Sequence, residues 1–145
     1  MAEPHIRRLA GGTLRALGYL WALPTTCVGF IVAGAALLTG GRASFLGRVL
    51  EVHGGSVAMM LARGPLAGAR IAAVTLGHVV YAPSRDELER SRSHERVHVK
   101  QCERWGPLFL PAYAIASLWA LARGRDPYRD NRFEREAIAR SEEVP

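Results

Sequence analysis

The sequence predicts an α+β protein, with an apolar N-terminal helix followed by a small β-sheet and three further helices. Two observations support this prediction. Residues 16–41 contain no charged side chain, and His94-Glu95-Arg96-Val97-His98 lies in a segment whose charged residues recur with a helical period. We expect residues 1–41 to form a basic tail and a transmembrane anchor, and residues 42–145 to form one small metal-binding domain.

The charge and cysteine content of the chain indicate which kinds of partner and metal site to expect. The chain has 19 Lys and Arg against 13 Asp and Glu, for a net charge of +6. This charge suits an anionic membrane surface, whereas the lack of an interleaved basic and aromatic pattern argues against nucleic acid. Cys27 lies in the apolar run and Cys102 in a later helix, without CxxC spacing, so neither a disulfide framework nor a thiolate zinc site is expected.

Residues 17–38 are long enough to cross about 30 Å of hydrocarbon as a helix. Tyr19 and Trp21 occupy positions typical of an interfacial aromatic belt, and Pro24 is tolerated in a membrane helix. A cleavable signal peptide, cut near residues 33–35, is the competing interpretation. Arginines flank both ends of the run, so the side of the membrane that carries the domain stays open.

Three short strands are predicted in the middle of the chain, at residues 45–52, 56–62 and 70–81. A glycine turn at His53-Gly54-Gly55 separates the first two, and Gly77 indicates a bulge or kink in the third. His53 and His78 have no partner at metal-ligand spacing. We interpret both histidines as polar turn or strand residues.

A metal-binding helix is predicted next. Ser84 and Glu87 form a capping box that starts it. His94 and His98 are four positions apart, share one face, and can bind the same ion. Zinc is the usual metal of such a pair, and Glu95 is placed to take a proton from the water that completes the site. The competing interpretation is a charged, solvated helix on which two histidines coincide.

The two faces of this helix differ in character. The side predicted to face water carries Arg85, Glu89, Arg92, Arg96, Lys100, Glu103 and Arg104. The inward side carries Leu88, Ser91, His94, Glu95, His98, Cys102 and Trp105. This segregation favours the metal site over the solvated helix.

Residues 108–122 are strongly apolar and follow a helix stop at Trp105-Gly106-Pro107. The segment is shorter than the roughly 20 residues of a typical span, so we expect a buried or interfacial helix. The metal hypothesis also requires that this helix does not cross the membrane, because a crossing would put the later residues on the opposite side from His94.

The last helix is predicted to begin at Asn131, its N-cap. Glu134 points inward, where it can be the third metal ligand, the capping-box partner of Asn131, or both. Glu136 points to the opposite side, near Arg132 and Arg140. Geometry therefore selects Glu134 over Glu136 as the ligand.

His94-Glu95-x-x-His98 followed by Glu134-Arg135-Glu136-Ala137 resembles the gluzincin class of zinc metallopeptidases. The resemblance implies a minimal zincin-like domain in which His94, His98 and Glu134 hold zinc and Glu95 is the general base for peptide-bond hydrolysis. The stretch from His94 to Ala137 is also similar to that of small bacterial membrane proteins, which implies the inner membrane as the location.

The chain departs from the gluzincin pattern in one respect. Gluzincins commonly have an aspartate four residues after the ligand glutamate, where this chain has Ile138. Asp130 is the candidate substitute for holding an imidazole in place. Tyr113 and Tyr128 are the candidate donors to a developing oxyanion.

Together these features predict a membrane-anchored zinc metallopeptidase. We expect its partners to be membrane lipid and a peptide or protein substrate, bound along the edge of the strand at residues 70–81. The alternative is a non-catalytic membrane protein with a structural or vestigial metal site, which a closed fourth coordination position would indicate. The sequence does not specify the substrate or the oligomeric state.

Overall fold

The structure is mixed α+β, with one four-stranded sheet packed between helices in the part of the chain that is described. The computed structural model describes residues 3–64 and 71–142, with side chains from residue 16 onward. The helices are α1 (Glu3–Leu38), α2 (Gly55–Arg63), α3 (Arg85–Trp105), α4 (Phe109–Ala122) and α5 (Arg132–Glu142). The strands are β1 (Arg42–Leu46), β2 (Val49–His53), β3 (Val74–Leu76) and β4 (Val79–Ala82). A short 3-10 turn, Gly106–Leu108, joins α3 to α4.

Two hairpins form the sheet, in the order β1-β2-β4-β3. The pairs β1–β2 and β3–β4 are antiparallel, whereas the central pair β2–β4 is parallel. Both hairpins turn at a Leu-Gly-x-Val sequence in which Gly47 and Gly77 have φ angles of 67° and 64°, a conformation that glycine adopts without steric cost. The prediction of single strands at 45–52 and 70–81 is therefore wrong, and Gly77 is a turn rather than a bulge. Residues 65–70 of the predicted loop and strand lie outside the described residues.

Residues 56–62, predicted as a strand, belong to helix α2. Because β4 runs parallel to β2, the chain between them needs a crossover instead of a tight turn. The methionine, leucine and alanine residues of this segment favour helix, and periodicity alone cannot assign so short an apolar run. Val57 and Leu61 are buried, whereas Met59 and Met60 are exposed.

Helices cover both faces of the sheet. On one face, α1 and α2 form a core cluster with β2 and β4 that consists of Ala33, Ala36, Leu50, Val52, Val57, Leu61, Val79 and Tyr81. On the other face, Glu51 of β2 accepts hydrogen bonds of 2.8 and 2.9 Å from Arg92 of α3. A second cluster joins α1 to α3, α4 and α5 through Ala22, Cys102, Phe109 and Phe133.

Within residues 16–38, helix α1 packs against the rest of the protein through small residues. Its buried positions are Ala22, Thr25, Thr26, Gly29, Ala33 and Ala36. Their spacing of three and four residues defines one helix face, and the Tyr81 hydroxyl donates a hydrogen bond to the Gly29 carbonyl oxygen on that face. The helix continues through Pro24. Residues 3–15, expected as part of a tail, extend the same helix toward the N-terminus.

Two helical segments are long and apolar enough to cross a membrane, Ala16–Leu38 and the continuous run Arg85–Ala122. Buried core helices and signal sequences share this length and composition. The apolar part of the second segment is α4, whose 14 residues extend only about 21 Å. Most of the large apolar side chains of α4 are exposed, among them Leu118 and Trp119.

Helix α3 begins and ends where the sequence predicts. Ser84 Oγ accepts a hydrogen bond from the Glu87 N–H at 3.3 Å, which caps the first turn. Gly106 ends the helix with a φ of 56°. The α3 boundaries are therefore confirmed.

Helix α5 begins after Asn131, also as predicted. Asn131 Oδ1 accepts a hydrogen bond of 2.9 Å from the Phe133 N–H. The Asn131 N–H donates to the Tyr128 carbonyl oxygen, so it is not paired with the Glu134 side chain. The capping-box role considered for Glu134 is therefore not adopted.

Two glycines of α1 provide a matched test of its packing. A Cβ on Gly29 would lie 2.8 Å from the Leu76 carbonyl oxygen and from Val79 Cγ2, whereas a Cβ on Gly34 would meet nothing within 4 Å. We expect Gly29→Ala to destabilise the protein by about 1–3 kcal/mol through overpacking. Gly34→Ala should be neutral or stabilising by up to about 1 kcal/mol. Urea unfolding in detergent, followed by circular dichroism, measures both, and equal effects would contradict the packing of α1 on the sheet.

Candidate metal centre

Three side chains of α3 converge on its inner face. His94, Glu95 and His98 each offer one ligand atom, and these atoms lie within 4.8 Å of one another, so the group could hold a metal ion. The four-residue spacing stacks the two imidazoles and leaves their Nε2 atoms 3.1 Å apart. Glu95 and His98 are buried, and His94 is partly buried.

Helix α5 brings a carboxylate to the same place. Glu134 Oε2 lies 3.0 Å from His94 Nε2, and Glu134 Oε1 lies 3.2 Å from His98 Nε2. The Tyr113 hydroxyl of α4 donates a hydrogen bond of 2.6 Å to Glu134 Oε1. Glu134 is 2 % exposed, so its charge depends on these neighbours rather than on water.

The hydrogen bonds of Gln101 determine which nitrogen of His98 carries the proton. Gln101 Nε2 donates to the Phe133 carbonyl oxygen and to Glu136 Oε2, both at 3.0 Å. Because both partners are acceptors, Gln101 Oε1 is the atom 2.8 Å from His98 Nδ1, and Nδ1 must donate. In the neutral ring, His98 Nε2 therefore carries a lone pair directed into the site. Metal-ligating histidines are commonly held in this way by a partner on the second nitrogen.

The imidazole nitrogens and carboxylate oxygens at the centre of the site lie close enough together to bind one cation. Glu134 Oε2 is buried and accepts no aligned hydrogen bond, although His94 Nε2 is 3.0 Å away. Unprotonated imidazole nitrogens and a carboxylate repel one another at these distances, and two protonated imidazoles with Nε2 atoms 3.1 Å apart would repel as well. Either a proton on His94 Nε2 or one divalent cation bound by all three groups relieves this repulsion, so the residues fit a metal.

The pKa values of the two carboxyl groups of the site are shifted in opposite directions. Burial raises the pKa of Glu95, opposed by the His98 imidazole and by the Thr75 hydroxyl, which donates a hydrogen bond of 2.6 Å to Glu95 Oε2. Burial alone would also raise the pKa of Glu134, but the two imidazoles and the tyrosine hydroxyl outweigh it and hold this pKa below its usual range. Glu134 therefore stays ionised, and Glu95 takes up a proton more readily.

A cleft of about 250 Å³ adjoins the four residues. The edge strand β3 contributes Val74 and Thr75 to its lining, and the start of α4 contributes Phe109 and Leu110. Tyr128, from the loop before α5, also lines the cleft. The lining is mostly apolar, with the polar groups gathered at His94, Glu95, His98 and Glu134.

The structure places the predicted site residues in one cluster, which consists of His94, Glu95, His98 and Glu134. Their roles as ligands and base stay predictions. Glu136 lies outside this cluster and forms ion pairs with Arg104 and Arg140. Arg132, expected beside Glu136, lies over the Trp105 ring instead.

Asp130 does not contact an imidazole, contrary to expectation. Its Oδ2 accepts a hydrogen bond of 3.1 Å from the Asp126 N–H on the surface. Gln101 holds His98 instead, and Thr75 holds Glu95. A neutral amide three residues after His98 on the same helix is a signal that could have identified Gln101. Thr75 could not be found without knowing where β3 begins.

No protein-family model matches the chain, and comparisons with curated proteins and with solved structures found no match. The resemblance to gluzincins therefore rests on His94-Glu95-x-x-His98 and Glu134. Functional conclusions depend on the geometry of these residues.

Gln101 and Glu136 allow a test of the hydrogen bonds that hold His98. We expect Gln101→Ala to lower metal affinity about 10–100-fold, as loss of such an outer partner typically does. Glu136→Ala should have a smaller effect of the same sign, because it removes one of the two acceptors that orient Gln101. Zinc titration against a competing chelator measures both.

The control is Glu89→Ala, which removes an exposed ion pair with Arg85 on the same helix and should leave zinc affinity unchanged. Unchanged affinity in Gln101→Ala would show that the Gln101 contact does not orient a metal ligand.

Proposed function

We propose that the protein is a membrane-attached zinc metallopeptidase in which His94, His98 and Glu134 hold the metal. The observation that carries the proposal is the convergence of a buried carboxylate, without an aligned partner for Oε2, on two imidazole nitrogens 3.1 Å apart. Two nitrogen ligands and one oxygen ligand form a set that zinc accepts readily. The gluzincin resemblance leads to the same set.

Three protein ligands leave one position of a tetrahedral site open, which is the arrangement of catalytic zinc centres. The cleft of about 250 Å³ beside the ligands gives a substrate access to that position. When bound there, zinc supplies Lewis acidity and makes water a stronger acid. An open coordination position at the base of a cleft favours catalysis over a purely structural metal.

Glu95 is the proposed general base. Its carboxylate lines the cleft, and the hydrogen bond from Thr75 fixes the position of Oε2. In this role Glu95 takes a proton from the attacking water and returns it to the leaving amine. Tyr113 and Tyr128 both line the cleft and both interact with Glu134, and they are the proposed donors to the developing oxyanion.

The proposed substrate is a polypeptide bound in extended form along β3. This strand is at the edge of the sheet, paired with β4 on one side, and it lines the cleft. Addition of a peptide strand to such an edge provides main-chain hydrogen bonds without sequence selectivity. The apolar lining favours an apolar side chain next to the cleaved bond.

Membrane attachment through α1 is the second part of the proposal. Residues 16–38 are uncharged and long enough to act as an anchor. A single crossing, with the domain on one side, is the arrangement expected from sequence.

A structural metal site is the second candidate. The ligand atom of Glu95 lies within 4.8 Å of those of His94 and His98. If Glu95 occupies the fourth position, the site is closed and no base remains, as in a structural centre.

Zinc content and peptide cleavage together separate these candidates. His94→Ala, His98→Ala and Glu134→Ala each remove a proposed ligand and should lose most bound zinc. Glu95→Gln preserves the size of the side chain and should retain zinc while lowering peptide cleavage by about 10²–10⁴-fold, the usual contribution of a general base. Measurements use purified protein in detergent, with elemental analysis and a fluorogenic peptide library.

Loss of zinc in Glu95→Gln would favour the closed, structural site. Equal zinc content in the parent and all four variants would rule out the metal centre. Zinc bound as predicted, with no cleavage by the parent, would support the structural candidate.

A further inference from the structure

Charge is distributed unevenly among the helices. Residues 16–38 of α1 and the whole of α4 contain no charged side chain, and α2 contains only Arg63, in its last turn. Helices α3 and α5, by contrast, are rich in charged residues. Helices α1 and α2 cover one face of the sheet, whereas α3 covers the other face and also contacts α1. The outward faces of α1 and α2 therefore form an apolar side of the molecule.

The apolar side of the molecule is exposed. On α1, Leu20, Ile31 and Leu38 are 66 %, 74 % and 90 % exposed. Exposed methionines extend this surface onto α2, and exposed leucines and a tryptophan extend it onto α4. Trp21 lies against Gly106 at the start of the turn before α4, so the outer surfaces of α1 and α4 meet there. An apolar surface of this extent indicates contact with a membrane or with another protein.

The packing of α1 conflicts with a crossing of the membrane. Contacts with the rest of the protein extend from Gly18, where a Cβ would lie 3.5 Å from Glu103, to Ala36 in the sheet cluster. This length is about 27 Å at about 1.5 Å per residue, nearly the hydrocarbon thickness of about 30 Å. A bilayer around that length of α1 would also enclose the sheet and the Glu103 carboxylate, whose Oε1 is 3.1 Å from His78 Nε2. Charged groups at that depth are strongly disfavoured.

We propose that the protein lies in one leaflet of a lipid membrane without crossing it. The outer surfaces of α1, α2 and α4 contact the acyl chains, and the charged face of α3 contacts water. Arg63 after the apolar part of α2, and Arg123 and Arg125 after α4, lie where anionic headgroups would meet them. The Arg123 guanidinium is 4.2 Å from the centre of the Trp119 ring, and this pairing suits the membrane interface.

The arrangement places the cleft next to the lipid surface. Leu110 lines the cleft and is 41 % exposed on α4. The consequence for substrates rests on the proposed peptidase function: polypeptides lying on the membrane surface reach the metal site without leaving the interface. The membrane arrangement itself does not depend on that function.

Depth-dependent fluorescence quenching distinguishes an in-plane helix from a crossing one. The probe is an environment-sensitive fluorophore on the full-length protein in phosphatidylcholine and phosphatidylglycerol vesicles. One label is on Cys27, which is exposed on α1, and the others are on Leu20→Cys and Leu38→Cys in a Cys27→Ala background. Cys102 is buried and stays unlabelled. Lipids carry a quencher either near the headgroup end or near the methyl end of an acyl chain.

For an in-plane helix, all three α1 positions should be quenched equally, and more strongly by the shallow quencher. Leu118→Cys on α4 should also be quenched, whereas the control Arg96→Cys on the exposed face of α3 should not. A crossing helix would instead show deep quenching at Cys27 and shallow quenching at the two ends, and this profile would overturn the proposal.

Two further results would also overturn it. Labels on α1 that remain in a water-like environment would show that the surface is not in lipid. Labels that are shielded from both water and quencher, and become exposed when the protein is diluted, would show that a second copy covers the surface. Far-ultraviolet circular dichroism of each labelled variant reports correct folding, and the absence of zinc binding or of peptide cleavage would bear only on the proposed peptidase function.

Discussion

The structure around the candidate metal centre depends on one buried carboxylate. Glu134 is 2 % exposed, and its charge is balanced by two imidazoles of α3 and by the Tyr113 hydroxyl of α4. Removing one partner of a buried charge typically costs about 3–5 kcal/mol. The contacts of Glu134 therefore fix the positions of α3, α4 and α5 relative to one another. Asn131 helps to fix α5 against α4, because its side-chain amide donates hydrogen bonds to the Tyr113 carbonyl oxygen and to Ser117 Oγ at 3.1 and 2.8 Å. The position of α5 and the geometry of the site therefore have the same physical cause.

Helix α3 connects the metal centre to the apolar side of the molecule. Thr75 of β3 is bonded to Glu95 within the site. Further along the helix, Glu103 contacts His78, whose other ring nitrogen lies 3.1 Å from Thr26 Oγ1 on α1. The ligands are thus held at a fixed distance from the surface that we propose enters the lipid. A cleft that opens beside α4 can then accept chains that remain at the membrane interface.

Local signals predicted α3 and α5 well, because the capping residues Ser84 and Asn131 and the charge pattern lie within the helices themselves. Helical geometry also favoured Glu134 over Glu136, and only Glu134 contacts the imidazoles. The sheet was predicted poorly. Its two turns depend on a single glycine each, and α2 exists because β2 and β4 are parallel, which is a long-range property. The i,i+3 spacing of Gln101 from His98 was a local signal for their contact, but the orientation of the Gln101 amide depends on acceptors supplied by α5.

X-ray absorption spectroscopy of the zinc-loaded protein identifies the atoms that bind the metal. We expect two imidazole nitrogens and carboxylate oxygen in the first coordination shell at about 2.0–2.2 Å, with a further light atom in the fourth position. A sulfur ligand at about 2.3 Å, which would indicate Cys102 or Cys27, or a shell without imidazole, would contradict the proposed metal centre.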